Sequence, residues 1–187
     1  MDFRDQLFDQ YADLPAQWAR QDFEQCTFKY LDLSKVIFAN TNFTNCRFED
    51  CNLGLALLEG TKLDDVVFVA SKLNSVNFGQ CSAFGFHVDF QGCQLDYASF
   101  SNRNLKKTRF VDCTLLEARF INCDLSSAVF KTCNLELAQF ASNTLIQTDF
   151  SSSYNVSLDP DNNKLKKTKF SLHSLPGLLT KYDIIVN

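Results

Sequence analysis

The hydrophobic pattern of this chain has a period of five. A large apolar residue stands at Phe23, Phe28, Leu33, Phe38, Phe43, Phe48, Leu53, Leu58, Leu63, Phe68, Leu73 and Phe78. A second run, two residues out of phase, holds Phe90, Leu95, Phe100, Leu105, Phe110, Leu115, Phe120, Leu125, Phe130, Leu135, Phe140, Leu145 and Phe150. Neither regular element can use such a period. On a helix of 3.6 residues per turn, every fifth residue drifts around the axis and builds no stable stripe. On a strand, side chains alternate, so every fifth residue changes face. A chain that turns a corner after each pentapeptide points every fifth residue at a common axis, and a repeating unit of this kind stacks into a solenoid.

The position two before each large residue is small: Cys26, Thr41, Cys46, Cys51, Ala56, Thr61 and Ser71 in the first run, and Cys93, Ala98, Cys113, Ala118, Cys123 and Cys133 in the second. Arg103 and Asn143 are exceptions, expected to mark local distortions. This pattern, with Cys51-Asn52-Leu53, Cys123-Asp124-Leu125 and Cys133-Asn134-Leu135 as its clearest instances, resembles the pentapeptide-repeat family. The resemblance implies an all-β, right-handed quadrilateral solenoid with four repeats per coil. From residue 90 to 150, Phe and Leu alternate strictly, so Phe would fill two opposite faces and Leu the other two.

Three segments depart from the period. Between Phe78 and Phe90 the phase slips by two residues, and Phe84, Gly85 and Phe86 are the predicted structural break. Ser152 to Asn163, with Asp159-Pro160, reads as a loop. Phe3, Leu7, Tyr11 and Leu14 fall at helical spacing and predict an amphipathic capping helix over residues 2–14, seated by Trp18. The expected organisation is a capping helix and lead-in over 1–20 and a solenoid over 21–172, with its break near 79–89 and a loop near 152–163. A cap and dimerisation segment follows over 173–187. In that segment Leu175, Leu178, Leu179, Ile184, Ile185 and Val186 are too apolar for a free tail, and a solenoid end needs a cap or a partner. A short helix from Ser174 and a strand at 184–186 would join two copies into a homodimer.

Composition narrows the function. Of 187 residues 45% are hydrophobic, and the net charge of −4 lacks the basic surplus of a direct nucleic-acid binder. Residues 1–89 hold 13 acids and 7 bases, whereas residues 90–187 hold 9 acids and 11 bases. No apolar stretch is long enough to cross a bilayer, and no signal peptide is visible at the start, so a cytoplasmic home is expected. The triplets at Asn42 and Asn155 are then chance glycosylation matches. All eight cysteines occupy the inward small position, which reads as buried thiol packing and not as a metal site or a disulfide framework. Glycine numbers only 6, no phosphate loop is present, and neither His87 nor His173 sits in a nucleophile–base motif. No catalytic residue, metal or cofactor is expected. The basic clusters Lys106-Lys107-Arg109 and Lys164-Lys166-Lys167-Lys169 read as solvated surface.

The segment Phe84-Gly85-Phe86, with NNKLKKTKFS and LPGLLTKYDIIV near the end, resembles the Qnr-type quinolone-resistance proteins and their chromosomal relatives. That resemblance implies a non-enzymatic, DNA-mimicking dimer joined at its C-termini that binds DNA gyrase or topoisomerase IV. Protective members of the group carry projecting loops within the coils. Residues 90–150 have no insertion, which puts drug protection in doubt. The alternative expectation is a scaffold for some other protein: Val111, Leu116 and Ile121 point outward, and Ile37 falls one coil from Leu57.

Overall fold

The computed structural model describes residues 2–12, 14–182 and 184. The chain winds as a parallel β-solenoid with four inward columns. Every coil repeats the same short strands one register step further, so Phe23 lies against Phe3 and Phe43, and Phe48 against Phe28 and Phe68. Face 1 carries the column Phe3, Phe23, Phe43, Leu63, Phe86, and then Leu105, Leu125, Leu145 and Leu165. Face 2 runs from Phe8 through Phe68, Phe90 and Phe110 to Phe170. Face 3 holds the leucines 33 to 135, and face 4 runs from Trp18 through Phe78 and Phe100 to Phe140.

The expected alternation is present. On face 2, Phe90, Phe110 and Phe130 stack with centroids 5.1 and 4.6 Å apart, and on face 4 Phe100, Phe120 and Phe140 stack at 4.9 Å. Phenylalanines of neighbouring faces meet edge to face at 5.7–5.8 Å, the geometry that ring quadrupoles favour. Each ring is withdrawn from water, at about 1.5–3 kcal/mol per side chain.

Corners are made by a residue in the left-handed region, one per pentapeptide. On the corner after face 1 these are Asp5, Gln25, Asn45, Asp65, Lys107, Ser127, Gln147 and Lys167, with φ between 51° and 62° or close to it. Most are not glycine. The strain of about 1–2 kcal/mol at each is offset by the amide ladder it permits, since the corner amide reaches the next coil, as in Gln25 N–H to Thr44 O at 2.9 Å.

The small inward slot offers a hydrogen bond to side chains that carry a donor. Such a side chain can donate to the carbonyl of the large residue one coil before: Thr41 Oγ1 to Trp18 O at 2.7 Å, Thr61 Oγ1 to Phe38 O at 2.8 Å, Cys123 Sγ to Phe100 O at 2.9 Å. Cysteine, serine and threonine fit there because they are small and their donor can be satisfied, and alanine, as at Ala98 and Ala118, fits by size alone. Burial pushes the Cys51 and Cys123 thiols up to about 11 and Cys46 to about 12, which withholds the reactive thiolate. All eight cysteines are free and buried. Asn143 obeys the same rule and marks no distortion. Its Nδ2 donates to Phe120 O at 2.8 Å and its Oδ1 accepts from Cys123 N–H at 2.8 Å.

One expectation at the ends is corrected. Among the described residues of 2–14 there is no helix: Asp2–Arg4 and Leu7–Phe8 are strands of a first coil. Phe3 stacks on Phe23 at 4.9 Å and Phe8 on Phe28 at 5.1 Å, while Leu7, Tyr11 and Leu14 are exposed. The aromatic columns attract Phe3 and Phe8 more strongly than a helical stripe could hold the other three. Residues 152–163 hold no regular strand but stay within the coil. Leu145 pairs in register with Leu165 twenty residues later, and Ser153, Val156 and Leu158 are buried, so the segment is an irregular coil capped by the short turn Pro160–Asn162.

Candidate functional site

The break lies on face 1, halfway along the rod, and its origin is a redistribution of residues around one coil. The step from Phe78 to Phe86 takes eight residues instead of five, and the step from Phe86 to Phe90 takes four. Together they add the two residues of the phase slip. Phe86–Gln91 pairs with the strand Lys62–Val69 through Leu63↔Phe86 and then Val66↔Val88. Asp64 and Asp65 thus oppose the single residue His87, the two-against-one count of a β-bulge.

The long step begins with a turn at Phe78–Gln80, whose first amides are met by the Asn77 side chain, Gly79 N–H to Oδ1 at 3.0 Å. The chain then swings out to Phe84, which is 81% exposed, and returns at Gly85 with φ +64°. A Cβ on Gly85 would lie 2.4 Å from Lys62 Cε. Of the three predicted break residues, only Phe84 projects, because Phe86 fills the core slot.

The bulge gathers charge. Asp64 takes Lys62 Nζ at 2.9 Å on one oxygen and lies 3.0 Å from His87 Nδ1 on the other. The Lys62 ammonium, and then His87, hold its carboxyl below the usual range. Ligand atoms of Asp64, Asp65 and His87 lie within 4.8 Å of one another, so these three could converge on a cation once Lys62 withdrew. The shortened corner also cuts the amide ladder. Where Arg47 N–H and Val67 N–H reach the backbone carbonyls of Cys26 and Cys46, Arg109 N–H instead donates to Asp89 Oδ1 at 2.7 Å. Burial raises the Asp89 carboxyl above its ordinary value, although that amide opposes the shift. A shallow recess opens at the cut, bounded by Asp65, His87, Asp89, Lys106 and Lys107.

Beneath the break sits Arg103, an arginine in the small inward slot. Nη1 donates to Cys81 O at 2.8 Å, the guanidinium lies 5.6 Å from the Phe86 ring centre, and Nε is buried without a partner. The expected distortion is real here: the extra residues of the long step leave Cys81 O for this longer side chain to reach.

Comparison with known proteins agrees with the coil geometry. A family model described as pentapeptide repeat region matches residues 16–100, and one for pentapeptide repeats (8 copies) matches residues 118–154. The chain belongs to the pentapeptide-repeat family. HetL, a pentapeptide-repeat protein involved in heterocyst differentiation regulation from the cyanobacterium Nostoc sp. strain PCC 7120, superposes with a TM-score of 0.55 at 19% identity. That match covers 93% of this chain and 89% of HetL. A trypsin-treated variant of QnrB1, a plasmid-mediated fluoroquinolone resistance protein, gives a TM-score of 0.47 at 18% identity, covering 100% and 98% of the two chains. A search of curated proteins by sequence finds no match.

The interior is filled by the buried columns, and the remaining candidates are on the outside. The predicted dimerisation residues are divided in their use. Leu178 packs against the core. Leu175 and Ile184 are 43% and 55% exposed, and Leu179 is half-buried. Leu175 and Leu178 belong to the tight helical turn Leu172–Leu178, Leu179 caps it, and Ile184 lies beyond the next turn at Thr180–Tyr182. Gly177 allows the cap to close, for a Cβ there would stand 1.9 Å from Val156 O. Ile185 and Val186, and with them the expected strand at 184–186, lie outside the described residues. Among the described residues no helix is long and apolar enough to cross a membrane.

The residues that sequence reasoning did not assemble are Asp64, Asp65 and Asp89. Their signal was the spacing of four between Phe86 and Phe90, which shortens a corner and leaves its neighbours to supply the missing contacts.

Proposed function

We propose that this chain is a non-enzymatic rod that acts by presenting its outer faces to another protein. The observation that carries the reading is how the side chains are divided. Inward positions are used up by stacked rings and by the donors of the ladder, so specific chemistry is left to outward positions. Those positions are not uniform. The first four coils expose Asp2, Asp5, Asp22 and Asp65 on face 1, an acidic surface that could stand in the place of DNA phosphates. On this reading the partner is a bacterial type II topoisomerase, DNA gyrase or topoisomerase IV, held through its DNA-binding groove. Acids thin out beyond the break, where lysines replace them, so the acidic stretch covers one half of the rod.

A second reading, a scaffold for an unrelated protein, is favoured by a different surface. Ile37 pairs with Leu57 across adjacent coils, and both, with Leu55, are about half exposed. They form a small apolar patch away from the acids, the kind of surface that marks a protein contact.

The experiment is a titration of the purified chain into supercoiling by gyrase and relaxation by topoisomerase IV, with and without a quinolone. Reduced drug-induced cleavage with activity retained indicates protection. Loss of both indicates competition with DNA. Unchanged reactions at large molar excess end the topoisomerase reading and leave the scaffold.

A further inference from the structure

Face 1 is electrically polar along the rod. Toward the first coil it exposes Asp2, Asp5, Asp22 and Asp65, and toward the last coil Lys107, Lys164, Lys166 and Lys167. None of the eight has a salt-bridge partner among the described residues. The charges of this face that are paired find their partner on the same face: Arg4 with Glu24, Lys62 with Asp64, and Lys106 with Asp124 at 3.1 Å. The change of sign falls at the break, with Asp65 just before His87 and Lys107 just after it.

We propose that two copies of this chain lie side by side and antiparallel, with their first faces in contact, an arrangement that covers the acids of face 1 and so competes with any topoisomerase bound through them. A two-fold axis through the break coil makes the face its own complement, as an isologous interface requires. Counting coils outward from Phe86, the coil of Asp65 meets the coil of Lys107, and the first coil, with Asp2 and Asp5, meets the coil of Lys164, Lys166 and Lys167. Asp22 meets Thr144 and Gln147, which carry no charge. Parallel packing sets like charges against each other, and an axis displaced by one coil sets Asp65 or Lys107 against its own copy. The shape of the face allows the contact, because its corners are single residues and no loop rises from it except at Phe84. That ring stands beside the axis, with Lys62 Nζ 5.8 Å from its centre, and would meet its counterpart there.

The contact rests on exposed charge, so it is weak and yields to salt. The screening length falls from about 10 Å at 0.1 M to about 3 Å at 1 M. Sedimentation velocity at about 20 mM and at about 1 M salt is expected to show dimers in the first and monomers in the second. Zero-length carbodiimide cross-linking then fixes the arrangement. Within one molecule, Phe3 and Leu165 stand roughly 38 Å apart at about 4.8 Å per coil, so a bond from Asp2 or Asp5 to Lys164, Lys166 or Lys167 must join two copies.

Charge exchange supplies the control. The K164E/K166E/K167E chain and the D2K/D5K/D22K chain should each be monomeric, and a mixture of the two should recover the dimer. All these side chains are exposed, and far-ultraviolet circular dichroism confirms the fold of each variant. If a variant fails to fold, the cross-links of the unmodified chain decide. Monomers at low salt overturn the proposal. So does a dimer indifferent to salt and to both reversals, which is how an apolar end-to-end contact at Leu175 and Ile184 would behave.

Discussion

Residues 90–150 and residues 78–91 perform the same task by different means. In the regular stretch each pentapeptide repeats its predecessor, and the inward slots, Arg103 and Asn143 apart, are filled by a ring, a leucine or a small side chain. In the break one corner is long and the next is short. The ladder is completed there by side chains: Asp89 receives the Arg109 amide, Arg103 reaches Cys81 O, and Asp64 ties Lys62 to His87. The regular region derives its stability from identical neighbours. The break depends on individual residues, and it is the place where a polar, projecting surface can be made without opening the core. A defect in the first region should therefore cost much through packing, and one in the second should cost less and act through a single contact.

The widest separation is expected between two phenylalanines. Phe110 is fully buried between Phe90 and Phe130, and Phe110→Ala should lower stability by about 3–5 kcal/mol. Phe84→Ala removes an exposed ring and should change stability by no more than about 0.5 kcal/mol. Urea unfolding followed by circular dichroism measures both. Comparable losses would mean that the projecting segment is part of the core.

A smaller difference should separate the two polar residues of the inward slot. Asn143→Ala orphans the Cys123 amide and the Phe120 carbonyl and should cost about 2–3 kcal/mol. Arg103→Ala orphans one carbonyl but also releases a guanidinium with an unpartnered Nε, so about 1–2 kcal/mol is expected. If Arg103→Ala proved the worse, the packing of Arg103 under Phe86 would matter more than its hydrogen bond.

Much of this architecture was legible in the sequence, because a solenoid converts periodicity directly into position. The ring columns and the inward cysteines follow from counting by five. The first coil escaped notice since Leu7, Tyr11 and Leu14 happen to share helical spacing with Phe3. Counting back from Phe23 gives Trp18, Phe8 and Phe3, in phase with everything after them. Asn143 was misread because the slot was judged on size alone, although an amide there can donate to Phe120 O and accept from Cys123 N–H. The bulge at Asp64 and Asp65 could not be derived from the period. It depends on which of two corners absorbs the extra residues, and that is settled by Phe86 filling a core slot while Phe84 does not.

The smallest expected effect tests the ladder repair itself. Asp89 keeps its carboxylate in a part-buried place, and desolvation raises its pKa above the ordinary 3.8. The sign follows from linkage. A carboxyl whose folded pKa is raised favours the fold in its protonated form, so its contribution is fully present below about pH 3.8 and is lost as the pH climbs through the raised value. Asp89→Asn keeps an oxygen to accept from Arg109 N–H and removes the charge. The variant should therefore be slightly more stable than the parent at pH 7, by less than about 1 kcal/mol, and the gain should vanish in acid. Melting temperatures at pH 7 and near pH 4 measure this directly. A variant less stable than its parent at pH 7 would mean that the charge on Asp89, and not merely its oxygen, holds the Arg109 amide and closes the break.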